Sequence, residues 1–141
     1  MAGTHTRAPG FTLVEMLISI AVVAILVSIA LPSYSNAMLK LNRTSAEQFM
    51  LTIANKEEQT ALLQNSFVQT IGAGGLGLAP MADLAATYTF AVALTGSDCA
   101  GTSLSGNGYV ITATAVGAQA IDGNLCLDSR NQRAPSGKWG S

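Results

Sequence analysis

The side chain best placed to do chemistry is Glu15, the only charged residue between positions 11 and 39. A lone carboxylate in an apolar segment is a functional candidate, because a charge at the centre of a bilayer costs about 2.5–3.5 kcal/mol. If the chain is cut before Phe11, the new amine lies four residues earlier on the same helical face and can pair with Glu15, within one helix or between adjacent copies. The alternative is a solvated Glu15 at headgroup depth, favoured by the helix dipole by about 0.3–1 kcal/mol.

Two further candidates are Cys99 and Cys126, the only cysteines of the chain. Neither lies in a Cys-x-x-Cys motif, and the single histidine, His5, is far away in sequence, so the spacing does not suit a zinc site. If the domain that carries the cysteines is exported, it leaves the reducing cytosol for a compartment in which disulfides persist. We therefore predict a Cys99–Cys126 disulfide.

A small basic group with one aromatic residue lies near the C-terminus: Arg130, Arg133, Lys138 and Trp139. Cationic side chains bind phosphates and an indole ring stacks on nucleobases, so this group is a candidate DNA contact. The alternative is a solvated C-terminal edge. The whole chain does not attract nucleic acid, because its formal net charge is −1 and removal of a leader with Arg7 leaves six Lys and Arg against eight Asp and Glu.

The sequence lacks catalytic signatures. It has no histidine beyond His5, no Gly-x-Ser-x-Gly motif and no metal-spaced ligands, and its one adjacent carboxylate pair, Glu57 and Glu58, is assigned to a polar helix face. Residues 72–77 match G-x-G-x-x-G, but this segment follows a helix and opens no βαβ unit. We predict neither an enzyme nor a bound cofactor or metal.

The element that must carry Glu15 is an apolar helix. Hydrophobic residues make up 49% of the chain and charged residues only 11%, so part of the chain is predicted to lie away from water. At about 1.5 Å per residue, residues 11–31 form a helix of about 31 Å, which spans a hydrocarbon core. We assign residues 11–32 to this segment and residues 33–141 to one head, because 141 residues support a single core.

The residues in front of this helix carry a recognisable signal. Residues 1–10, MAGTHTRAPG, are polar, and residues 11–16, FTLVEM, begin the apolar run with Glu15 as the fifth residue after Gly10. This arrangement resembles the signal of type IV prepilins. The resemblance implies that a prepilin peptidase removes residues 1–10 by cutting between Gly10 and Phe11 on the cytoplasmic side, and methylates the amine of Phe11. It also implies that the helix remains as an inner-membrane anchor with the head in the periplasm.

Two other interpretations of the N-terminus are open. A secretory signal peptide would be cut after Ala30, but such signals have a basic n-region and an uninterrupted apolar region, which Glu15 breaks here. An uncleaved anchor is the second interpretation. Basic residues do not decide the orientation, because Arg7 on one side faces Lys40 and Arg43 on the other.

The helix is predicted to continue to about residue 65. Pro32 predicts a kink, with a helix end as the alternative; the prepilin resemblance favours the kink, since a proline there lies inside one long helix, and Tyr34 also matches. Apolar residues at spacings of three and four predict a buried face: Ala46, Phe49, Met50, Ile53, Ala54, Ala61 and Leu62. The charged residues are assigned to a solvated or subunit-facing side: Lys40, Arg43, Glu47, Lys56, Glu57 and Glu58.

A β-rich half follows this helix. Residues 65–86 are rich in glycine, contain Pro80 and are predicted to form a loop, where recognition is common. Residues 87–93 are rich in β-branched and aromatic residues, residues 108–116 alternate around Tyr109, Ile111 and Ala113, and residues 124–128 form a shorter segment. We predict that these three segments are strands. Antiparallel strands packed on an amphipathic helix give an α+β fold.

The strand region carries a second resemblance. Residues 108–120, GYVITATAVGAQA, and residues 126–129, CLDS, resemble the heads of minor pilins of the type IVa system. Those relatives often end with a cysteine directly before a tryptophan, whereas here Lys138 precedes Trp139, so Cys126 must pair with Cys99 instead.

Together the resemblances imply a structural subunit of a type IV pilus, more closely a minor pilin, that polymerises through its N-terminal helix. They imply other pilins, a prepilin peptidase, a membrane assembly platform and a cytoplasmic ATPase as partners. A type II secretion pseudopilin shares the N-terminal signal but less often the disulfide-bearing C-terminal pattern. A pilin specialised to bind DNA or a surface ligand is the alternative from another functional class.

Overall fold

The computed structural model describes residues 10–104 and 108–140. The chain divides into two units, one ending at Ala37 and the other beginning at Met38. Its elements, in order, are helix α1 (Leu13–Gln64), helix α2 (Ala82–Ala85), strand β1 (Tyr88–Ala93), strand β2 (Val110–Ala115), a 3-10 helix (Gly117–Ile121), strand β3 (Leu125–Asp128) and strand β4 (Arg133–Ala134). One long helix followed by strands is the α+β class that the sequence predicts.

The first unit is the apolar part of α1. Within the described residues, α1 is the one helix that is long and apolar enough to cross a membrane. Its large side chains are exposed, for example Ile25 at 62% and Ile29 at 68%. Because covering apolar surface contributes about 25 cal/mol per Å², lipid or other helices are the expected neighbours of this segment. Pro32 lies inside α1 rather than at its end, while the predicted bend there stays a prediction.

In the second unit, one stripe of α1 packs on the sheet. Ala46, Met50 and Ile53 are fully buried, and this spacing of four and three residues places them on one helical face, as predicted. Leu62 is 87% exposed, so its assignment to the buried face was wrong. The helix ends two residues later at Gln64, and Asn65 adopts a φ of 55°, the left-handed conformation that commonly ends a helix.

The sheet is an antiparallel meander with the order β1-β2-β3-β4. Tyr88 of β1 pairs with Ala115 of β2, and Val110 of β2 pairs with Asp128 of β3. The side chains of Tyr88, Ile111 and Leu127 point into the core and are 1% exposed or less. The first three strands lie where the sequence predicts them, within two residues at each end, and the two-residue strand β4 was not predicted.

The glycine-rich segment between α1 and β1 packs back on the core. Leu76 is 4% exposed, and its N–H donates to the carbonyl oxygen of Thr70 at 2.8 Å. A Cβ at Gly75 would lie 1.9 Å from that same oxygen, so only glycine fits there. The four-residue helix α2 within this segment was not predicted.

Candidate functional site

The start of α1 is built by Thr12 and Glu15. The N–H of Glu15 donates to Thr12 Oγ1 at 3.2 Å, so Thr12 is the N-cap and Glu15 stands three residues later, the spacing of a capping box. Of the predicted leader, Gly10 alone lies within the described residues, and both Gly10 and Phe11 are exposed. The peptide bond predicted to be cut therefore lies in an accessible segment directly before the helix.

The two cysteines form the disulfide that the sequence predicts, Cys99–Cys126. Cys126 lies in β3, between its pairing partners Thr112 of β2 and Ala134 of β4. Cys99 lies in the loop that follows β1. The bond therefore ties this loop to the middle of the sheet.

Two residues of the candidate DNA contact are brought together by the structure. The guanidinium carbon of Arg133 lies 5.2 Å from the centroid of the Trp139 ring, a cation–π distance. Arg133 also donates to Asn131 Oδ1, with its Nη2 at 3.2 Å. Arg133 and Asn131 are both exposed. Arg133 and Trp139 thus form a surface pair at the end of the sheet.

The other two residues of that contact are engaged elsewhere. Arg130 Nη1 lies 3.4 Å from Asp98 Oδ2, although the arginine side chain remains 53% exposed. Lys138 Nζ contacts the carbonyl oxygen of Asp122 and lies 3.7 Å from its carboxylate. The charge of Lys138 is therefore directed inward, and Arg130 keeps an exposed guanidinium next to an acidic partner.

A buried polar network joins α1 to the turn after the 3-10 helix. Arg43 donates to the carboxylate of Asp122 from Nε, at 2.7 Å, and from Nη2. The hydroxyl of Tyr88 donates to Asp122 Oδ2 at 3.2 Å, and Gln119 Nε2 donates to that hydroxyl at 3.1 Å. Burial raises the pKa of Tyr88 to about 12. Burial also tends to raise the pKa of Asp122, but the hydrogen bond and charge of Arg43 outweigh it and hold this pKa below its ordinary value.

Three charged residues assigned to the solvated side of α1 are buried: Arg43 and Glu47 at 8% exposure and Glu57 at 0%. That assignment was wrong because each of these side chains has a hydrogen-bond partner outside α1. Arg43 has Asp122. Glu57 Oε2 accepts the N–H of Val68 at 3.0 Å, and burial raises the pKa of this carboxyl group. The helical period can place a residue on the buried face, but it does not identify the partner of its side chain.

Within residues 10–104 and 108–140, no three His, Cys, Asp or Glu side chains are grouped so that they could hold a metal ion. Three carboxylates have a buried oxygen without a hydrogen-bond partner among the described residues, and they lie on α1 and β3: Glu47, Glu57 and Asp128. The geometry of the described chain is that of an exposed apolar helix and a disulfide-tied head with a cationic and aromatic edge.

Two family models match the chain. The model described as "Type IV minor pilin ComP, DNA uptake sequence receptor" matches residues 32–129, which is 98 of the 141 residues. The model described as "Prokaryotic N-terminal methylation motif" matches residues 6–31. The first model covers most of the head, and the second covers the predicted cleavage site and the apolar helix.

The chain is similar to the high-resolution structure of a type IV pilin from Shewanella oneidensis, with 20% sequence identity and a TM-score of 0.48. The match covers 70% of this chain and 92% of that one. None of the curated proteins matches this sequence.

Proposed function

The chain belongs to the type IV minor pilin family whose model matches residues 32–129, and on that premise we propose how it is processed and how it assembles. It is a subunit of a type IV pilus and assembles into filaments with other pilins. A prepilin peptidase cuts between Gly10 and Phe11 and methylates Phe11. The apolar part of α1 then remains in the inner membrane with the head in the periplasm. An assembly platform driven by a cytoplasmic ATPase moves the subunit from the membrane into a filament.

The observation that carries this proposal is the exposure of one uninterrupted apolar surface on α1. In an 18-residue window of this helix, none of the residues is buried inside the structure. Such an apolar surface is unfavourable in water, whereas a membrane and a bundle of pilin helices both cover it. The methylation-motif match over residues 6–31 supports the same assignment. Neither family match favours the pseudopilin alternative.

We expect the mature protein to begin at Phe11. Intact mass and N-terminal sequencing of protein from the envelope should show loss of residues 1–10 and one added methyl group. Gly10→Leu should accumulate the full-length precursor, because a branched side chain would occupy the peptidase cleft where glycine fits, and Gly10→Ala is the matched control with the smallest added group. A start at Leu31, or retention of Met1, would contradict the processing scheme.

A second candidate function, contact with DNA, is favoured by the Arg133–Trp139 pair together with the family description. The ring of Trp139 lies against an exposed guanidinium, and Arg130 adds a second exposed cation on the turn between β3 and β4. Guanidinium groups bind phosphates, and base–aromatic stacking contributes about 1–3 kcal/mol per base. The formal charge of −1 gives no broad attractive field, so the contact is local to this edge. Lys138 is left out of it because its ammonium contacts Asp122.

We expect Arg133→Ala to weaken DNA binding by about fivefold or more, because it removes a phosphate ligand and uncovers the ring of Trp139. Fluorescence anisotropy of labelled single-stranded and duplex oligonucleotides measures the affinity over a salt series. The salt slope should fall by about 0.7–0.9 for each lost phosphate contact. Lys40→Ala, which removes one exposed cation from α1, is the control. Equal affinities for the two variants would reject this edge as the DNA contact.

A further inference from the structure

The described residues after β4, 135–140, form a tail that α1 contacts at two successive points. Arg43 Nη1 donates to the carbonyl oxygen of Lys138 at 3.4 Å. The N–H of Gly140 donates to Glu47 Oε2 at 3.2 Å. Arg43 and Glu47 stand four residues apart on α1, so they lie one above the other on the same face. The helix therefore holds the peptide groups on both sides of Trp139.

Both contacts are made by buried charged side chains. Arg43 and Glu47 are each only 8% exposed. Glu47 Oε1 is buried and has no hydrogen-bond partner among the described residues. A buried carboxylate that is only partly hydrogen-bonded is costly, so this pair of charges is a poor source of stability. The arrangement is therefore better explained by the position it imposes on the tail than by the stability it contributes.

The position imposed is that of the Trp139 ring. The backbone is held on both sides of Trp139. The indole Nε1–H of this residue donates to the carbonyl oxygen of Ala134 at 3.3 Å. The ring packs partly on the core, and its remaining surface lies near the guanidinium of Arg133. Arg133 is exposed and long, so without a fixed ring beneath it many rotamers are accessible.

We infer that Arg43 and Glu47 are positioning residues that clamp the backbone around Trp139 and so pre-organise the Arg133–Trp139 surface for an anionic, base-bearing strand. The inference rests on the DNA contact proposed above. Pre-organisation strengthens binding because the ordering of the tail and the arginine is completed before the ligand arrives. The clamp itself never touches the ligand.

Glu47 is the residue to test, because Arg43 also pairs with Asp122 and its loss would disturb the core. Glu47→Leu keeps a similar volume but removes the acceptor for the N–H of Gly140, whereas Glu47→Gln keeps an acceptor oxygen and removes the charge. The chain has a single tryptophan, so its fluorescence reports on the tail alone. Affinity is measured with the same labelled oligonucleotides, and quenching by acrylamide gives the accessibility of Trp139.

We expect Glu47→Leu to increase quenching of Trp139 and to weaken DNA binding about as much as Arg133→Ala, roughly fivefold, without lowering the melting temperature. Glu47→Gln should restore both signals. Unchanged quenching and affinity in Glu47→Leu, or an equal loss in Glu47→Gln, would overturn the clamp. If Arg133→Ala weakens binding and Glu47→Leu does not, the clamp alone is wrong. If Arg133→Ala has no effect on binding, the DNA contact is wrong and the positioning role falls with it.

Discussion

Replacement of Cys126 by Ser is expected to lower the free energy of unfolding of the mature protein by about 3.5 kcal/mol. The Cys99–Cys126 bond spans 27 positions, and closing a loop of that size removes unfolded-state entropy of this magnitude in the chain-entropy model. The corresponding fall in melting temperature is roughly 15 °C for a head of this size. Unfolding of the detergent-solubilised protein, followed by the fluorescence of Trp139, measures both quantities.

The neighbouring ion pair offers a matched control for this loss. Arg130 and Asp98 connect the same two regions, the loop after β1 and the turn after β3, at 3.4 Å. Since the arginine is 53% exposed, Arg130→Ala should cost at most about 1 kcal/mol. The double variant Cys99→Ser/Cys126→Ser should cost no more than Cys126→Ser, because either change opens the same loop. A loss below 1 kcal/mol in Cys126→Ser, or alkylation of both thiols without reductant, would contradict the assignment.

The elements that could be predicted are those in which one local period dominates. Burial alternates along β1, and the apolar run of α1 has one charge in its first turn. β4 has only two residues, Arg133 and Ala134, followed directly by Pro135, so no period exists to detect. The helix α2 likewise has four residues within a glycine-rich segment, and its existence depends on the burial of Leu84 in the core.

The candidate site was less predictable than the fold, because its organising contacts join residues far apart in sequence. Sequence proximity grouped Lys138 with Arg133, yet the structure directs the lysine to Asp122. Arg43 reaches Asp122 across 79 positions, and Glu47 reaches Gly140 across 93. One signal was available in the sequence. Arg43 lies three residues before the buried Ala46, and Glu47 lies three residues before the buried Met50. The helical period alone therefore places both charges on the buried face.

Two roles of the Glu15 side chain are compatible with the fold, and substitutions can distinguish them. Its N–H is capped by Thr12, and a glutamate three residues after the cap can return a hydrogen bond to the backbone, which is a local role. Pairing with the Phe11 amine is the other role. That pairing would remove most of the cost of an unpaired charge, which is about 2.5–3.5 kcal/mol at the centre of a bilayer. Glutamine fills the capping-box position as well as glutamate does but carries no charge.

We therefore expect Glu15→Gln and Glu15→Val to behave alike in assembly, although only the valine variant loses the capping partner. Both should be exported, inserted and cleaved normally, because Gly10 is unchanged and the apolar stretch after position 15 keeps its length. Both should show at least a tenfold lower ratio of this protein in sheared pili to that in membranes. Tenfold corresponds to about 1.4 kcal/mol, less than the full cost of an unpaired charge.

Glu15→Asp should retain part of the incorporation, because the carboxylate is kept on a shorter side chain, and Thr12→Ala should leave it nearly unchanged, because the cap contributes only about 1 kcal/mol to the helix end. Quantitative immunoblots of sheared and membrane fractions from the same cells give the ratio for each variant. If Glu15→Gln assembles normally while Glu15→Val does not, the side chain acts through the capping hydrogen bond and charge pairing with Phe11 is not an assembly determinant. If both assemble normally, Glu15 has neither role, and the exposed apolar surface of α1 is sufficient for entry into the filament.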